Sequence, residues 1–92
     1  MKLTYSRRSL RHLQAIHDYI ARDNLEAADK TVQRIQMAVN RLAGLPHSGR
    51  PGPRETRLLS VPDLPYIVVH RVDDDIVKIV AVFHTHGIAA NE

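Results

Sequence analysis

Cysteine is absent from the 92-residue chain, which excludes disulfides and thiol chemistry and fits a reducing cytoplasm, the compartment we expect. Long apolar runs are absent too. None approaches the roughly 20 residues of a membrane span. No apolar segment follows the amino-terminal charges, so a secretory leader is not expected either. There is no internal repeat and no low-complexity tract. No serine stands in a nucleophile elbow, and hydrolase chemistry has no support. Gly49-Arg50-Pro51-Gly52 lacks the glycine–lysine–hydroxyl spacing of a phosphate loop, and Asp73-Asp74-Asp75 lacks the EF-hand spacing. His84-Thr85-His86 could set two imidazoles on one strand face. A metal would need a third and a fourth ligand, for which only His70 or the aspartates are candidates, so polar histidines at a strand end are the stronger reading. We expect no metal, no cofactor and no catalytic residue.

What is present suits one domain spanning 1–92 with a single modest core. Thirteen basic residues against ten acidic ones leave a mildly cationic chain. Ordinary solubility accounts for so small an excess. The basic residues are mostly arginine, however, the better side chain for bidentate contacts with carboxylate or phosphate, which tilts the reading towards an interaction surface.

The chain is built around Pro65-Tyr66-Ile67-Val68-Val69-His70-Arg71-Val72 and Ile76-Val77-Lys78-Ile79-Val80-Ala81-Val82-Phe83-His84. Both arms are β-branched, and the aspartate triplet between them makes a polar turn, which is a β-hairpin pattern. Before it, Lys2 to Tyr5 reads as a short opening strand. Ser6 can cap a helix with Leu10, Leu13, Ile16 and Ile20 on one stripe, Tyr19 beside it, and His12 and His17 at the rim. Asn24 can cap a second helix carrying Ala28, Val32, Ile35, Val39 and Leu42, ended by Gly44 and Pro46. The segment 46–54 reads as a loop without a regular ladder. Thr56 to Val61 is a further strand. The order predicts an α+β fold: a short N-terminal strand, an αα-hairpin, then a three-stranded antiparallel meander with the helices on one sheet face.

Strand alternation puts apolar residues on both sides of the hairpin, so it needs cover on both sides. The helices supply one. The other is expected to expose Ile67, Val69, Val80 and Val82 around Arg71 and Lys78, an apolar patch beside basic residues that fits a partner segment with acidic and apolar side chains. Arg50, Arg54 and Arg57, with His84 and His86, are the candidates for a separate target contact. Tyr66 reads as a core aromatic.

The stretch Leu13 to Ile20, the loop Gly49-Arg50-Pro51-Gly52, Thr56-Arg57, Pro65 to Val72 and Ile79 to His84, taken in this order, resemble the RelE/ParE toxin superfamily of bacterial type II toxin–antitoxin modules. The resemblance covers nearly the whole chain. It implies a toxin neutralised by a cognate antitoxin in a hetero-oligomer, with no membrane partner and no sequence-specific nucleic-acid binding of its own. RelE-like members cut messenger RNA on the ribosome. In that branch an arginine follows the strand's tyrosine and another ends the last strand, where this sequence has Ile67 and Gly87. Pro65-Tyr66 and the valine-rich strand ending in Arg71-Val72 are closer to the ParE branch. That likeness implies a ParD-like antitoxin and inhibition of DNA gyrase by binding. The ParE pattern commonly closes with histidine, two residues and arginine, and here Gly87 stands in the arginine's place. The alternatives are a ribosome-dependent endoribonuclease and a degenerate toxin that retains only antitoxin binding.

Overall fold

The structure, a computed structural model, describes residues 1–86. Its elements are β1 (Lys2–Tyr5), α1 (Arg7–Ala21), α2 (Leu25–Asn40), a 3-10 turn (Arg41–Ala43), β2 (Arg50–Pro51), a second 3-10 turn (Pro53–Glu55), β3 (Arg57–Ser60), β4 (Tyr66–Asp73) and β5 (Ile76–His84). They form a five-stranded sheet in the order β1-β5-β4-β3-β2. From β2 to β5 the strands run antiparallel, and β1 joins β5 in parallel. The expected α+β architecture is what the chain adopts. One expectation needs correction: Arg50 and Pro51, read as ladder-free loop, pair with Leu58 and Arg57. A proline fits there because β2 is an outer strand, where the missing N–H interrupts no second ladder.

Both helix starts are made by the predicted residues. The Ser6 hydroxyl accepts the Ser9 N–H at 3.0 Å, and Asn24 Oδ1 accepts the Ala27 N–H at 2.9 Å, each satisfying an otherwise orphaned donor. Ser6 also donates to the Val80 carbonyl at 2.9 Å, which ties the start of α1 to the sheet. The buried line of α1 runs through Ser9 and Leu13, with Ile16 and Ile20 partly covered. Leu10 and Tyr19 fall on its flanks and stay exposed, Tyr19 to 71%. The line keeps Leu13, Ile16 and Ile20 of the predicted stripe and takes Ser9 in place of Leu10. Ser9 can occupy it because its hydroxyl donates to the Ser6 carbonyl at 2.8 Å, leaving no buried polar group unmet. On α2, Ala28, Ile35, Ala38 and Val39 are buried, and Leu42 follows in the 3-10 turn.

One cluster makes the core: Leu13, Ile35, Ala38, Val39 and Leu42 from the helical layer against Val61, Tyr66, Val68, Val77, Ile79 and Val82 from the sheet. The β4–β5 ladder is regular from Asp73↔Ile76 to His70↔Ile79, then slips so that Val69 pairs with Ala81. Val80 is the extra residue, a β-bulge. Beyond it the alternation of β5 is inverted. Val82, expected beside Val80 on the open side, instead points to the helices and is 3% exposed. Such a residue contributes roughly 1.5–3 kcal/mol by leaving water.

Candidate functional site

Antiparallel partners project to the same side of a sheet. The register thus sorts the face away from the core cluster into four rows: Ser60–Ile67–Phe83, Leu58–Val69–Ala81 with Arg50 beyond Leu58, Arg71–Lys78, and Asp73–Ile76. Neither helix packs on these rows. Among the described residues Arg8 and His12 reach round the edge of β5, the guanidinium lying 5.7 Å over the Phe83 ring and the imidazole ring 5.3 Å from it. His12 Nδ1 also accepts the Val82 N–H at 3.1 Å, so this side chain closes the β5 edge where β1 has ended.

Of the residues expected on this surface, Ile67, Val69, Arg71 and Lys78 are there. Val82 is on the opposite face for the reason given above, and Val80 sits in the bulge with its carbonyl held by Ser6. Leu58, Ala81 and Phe83 join the surface without having been expected. For Phe83 and Ala81 a bulge shifts alternation without any marker in a run of valines; for Leu58 the pairing of β3 decides. The apolar centre is narrow, because Val69 is 8% exposed and Ala81 1%, while Leu58, Ile67 and Phe83 are half-buried around them. Asp73 Oδ2 lies 3.3 Å from Lys78 Nζ and 3.7 Å from Arg71 Nε. All three side chains are more than 40% exposed, so an incoming carboxylate can exchange with Asp73 at little cost.

The other candidates do not come together. Arg50, Arg54 and Arg57 belong to the β2–β3 margin of the sheet, and His84 and His86 to the far end of β5. Arg57 is a structural residue: its guanidinium donates to the Gly49 carbonyl at 2.9 Å and the Ser48 carbonyl at 3.4 Å. Across the ladder His70, fully buried, hydrogen-bonds through Nε2 to the Pro46 carbonyl at 3.0 Å, which makes Nε2 the protonated nitrogen of a neutral ring. Its Nδ1 has no partner among the described residues. Burial holds the His70 pKa below the ordinary histidine value, and the nearby Arg57 and His47 push the same way against the bond to Pro46. One arginine and one histidine thus stitch the loop 46–49 to the sheet. Arg54, in the next turn, is exposed at φ 55° and Glu55 follows at φ 63°, two successive residues in a region that side chains disfavour.

At the end of β5 the rings of Tyr66, His84 and His86 form a chain with 5.4 Å between successive centroids. Tyr66 is a core aromatic, and burial followed by the neighbouring Tyr19 phenol raises its pKa, so it remains a neutral phenol near pH 7. Among the described residues no three histidines or carboxylates gather as a metal site, and no helix is long and apolar enough to cross a membrane. Gly87 lies outside the described residues.

Comparison with known proteins gives a consistent picture. The family model described as the ParE toxin of the type II toxin–antitoxin system parDE matches residues 3–88. A protein of Sinorhizobium fredii named "Putative toxin Y4kP" is 43% identical over 86 residues, 92% of this chain and 88% of the relative. Toxin RelE2 of Caulobacter vibrioides is 34% identical over 84 residues, covering 90% of this chain and 93% of its own length. Among solved structures, the chromosomal ParDE system from P. aeruginosa superposes with a TM-score of 0.83 at 28% identity, over 94% of this chain and 97% of that one.

Proposed function

Because this chain belongs to the ParE family and is a type II toxin–antitoxin toxin, we propose that a cognate ParD-like antitoxin neutralises it by covering the helix-free face of the sheet. Free of the antitoxin, it inhibits DNA gyrase by binding rather than by catalysis. The observation that carries the antitoxin reading is that face itself: half-exposed Leu58, Ile67 and Phe83 beside Arg71 and Lys78, with no element of the described residues laid over them. An apolar surface rimmed by cations suits a segment that combines apolar anchors with carboxylates.

Catalysis finds little support in the basic residues. A ribonuclease needs a base, an acid and a phosphate clamp aimed at one point. Here Arg57 is engaged with two loop carbonyls and His70 is buried with its Nε2–H donated to the Pro46 carbonyl. The likeness to a protein named Toxin RelE2 keeps the ribosome-dependent ribonuclease as the rival reading. Two measurements separate them. Purified chain added to a gyrase supercoiling reaction should inhibit it, while transcripts from cells expressing the chain should stay intact at ribosomal A-site codons. Untouched supercoiling together with cut transcripts reverses the assignment. Growth unaffected by expression, with a tight antitoxin complex, leaves a degenerate toxin. For the antitoxin, Arg71→Glu with Lys78→Glu should weaken the complex at least tenfold in calorimetry, by setting like charges against the acidic partner. An unchanged affinity moves the interface elsewhere.

A further inference from the structure

The positive charge of this molecule is unevenly placed. The first 17 residues contain Lys2, Arg7, Arg8 and Arg11 and no acidic residue, which exceeds the formal net charge of +3 for the entire chain. Arg7, Arg8 and Arg11 all lie in the first turns of α1, whose first turn has no acidic residue. Two effects oppose them there. The helix macrodipole presents its positive end to these side chains, and Arg7 and Arg11 are a like-charge pair at i,i+4 on one helix face. No carboxylate pairs with Arg7 or Arg11 among the described residues, and both are exposed. The acidic residues of the helical hairpin, Asp18, Asp23, Glu26 and Asp29, collect around the turn at its other end. An arrangement opposed by its own electrostatics is relieved by a polyanion.

We propose that the first turns of α1, through Arg7 and Arg11, form a sequence-independent contact for the phosphate backbone of duplex DNA. This goes beyond the gyrase reading and stands without it, because the contact needs no enzyme. Arg7 and Arg11 are about 6 Å apart along the helix axis, which matches roughly two nucleotide steps of about 3.4 Å along one strand. The guanidinium fork suits phosphate oxygens. An acidic peptide is the weaker fit. A peptide that orders on binding must bury apolar side chains to offset its lost entropy, and the strip through Arg7, Arg11 and Gln14 is polar and exposed. Leu10, the nearest large apolar side chain, lines a groove with Val32 and His17 on the α2 side instead.

The test is fluorescence anisotropy of a labelled 20-base-pair duplex of arbitrary sequence, titrated with purified chain at several salt concentrations. Two phosphate contacts give a slope of log K against log salt near about −1.8, and Arg7→Gln with Arg11→Gln should bring it close to zero. The same double variant should melt at a higher temperature than the parent, since two unfavourable terms are removed. Arg50→Gln with Arg54→Gln, equally exposed but in β2 and the turn after it, beside the 46–49 loop, should leave the slope unchanged. Arg7→Lys with Arg11→Lys should keep it, which guards against misfolding in the glutamine variant. Equal slopes for the parent and the Arg7/Arg11 glutamine variant overturn the proposal, as does loss confined to the Arg50/Arg54 variant. Tighter binding of polyglutamate than of duplex, with the same dependence on Arg7 and Arg11, makes the surface a protein site instead.

Discussion

Gly49 is held at φ 91°, and a side chain there would run into the Leu58 carbonyl. Gly49→Ala should therefore cost more than about 1 kcal/mol, read as a lower midpoint in urea with an unchanged slope. The same loop depends on protonation. His70 is buried and neutral, with its pKa held below the ordinary histidine value by burial first and by Arg57 and His47 in addition. A group whose folded pKa is depressed in this way disfavours the folded state once the unfolded chain begins to take up its proton. Stability should be level above about pH 6.5 and decline as the pH falls from there towards the folded value, by at most about 1.4 kcal/mol per pH unit for this one group. Urea titrations at several pH values test it, and His70→Gln should flatten the decline. Loss of order in residues 46–49 at acid pH should accompany it, because protonation puts a buried cation close to Arg57.

At the scale of elements, α1 is fixed to the sheet by its N-cap. Ser6 caps the helix and donates to the bulged Val80 carbonyl as well. Ser6→Ala should cost at least the 0.5–2 kcal/mol of an ordinary cap, measurable by thermal unfolding. The bulge itself is testable. Deleting Val80 should leave Ala81 opposite Val69 in a regular ladder with Val82 still in the core, so the variant should fold but melt earlier than Val80→Ala, because the Val80 carbonyl that Ser6 holds is lost. Both caps and the second helix's apolar line were legible, since each rests on residues within one or two turns of each other. The tilt of α1 was not. Whether Leu10 or Ser9 faces inward is settled by where α2 and β5 stand, and the serine is acceptable only because a hydroxyl can return its proton to the preceding turn.

At the scale of the whole molecule, one layer of helices covers one face of a five-stranded sheet, and the sheet's other face belongs to nothing in the described chain. A partner bound to that face adds to stability by mass action. In excess antitoxin at about 100 times its Kd the chain should gain about 2.7 kcal/mol and melt correspondingly later, and the Arg71→Glu, Lys78→Glu variant should lose at least about half of that gain while melting normally alone.

The sequence by itself determined the element types, their order, both helix caps, the hairpin and the family, because each of these is written in short-range periodicity, in cap and turn residues, or in a motif string. Only the tertiary structure decided which side of β5 carries Val82 and which carries Phe83, that Arg50 and Pro51 extend the sheet, and that Arg57 and His70 serve the loop. Those outcomes depend on a one-residue slip between strands and on which carbonyls the fold brings within reach, and neither leaves a mark on local composition.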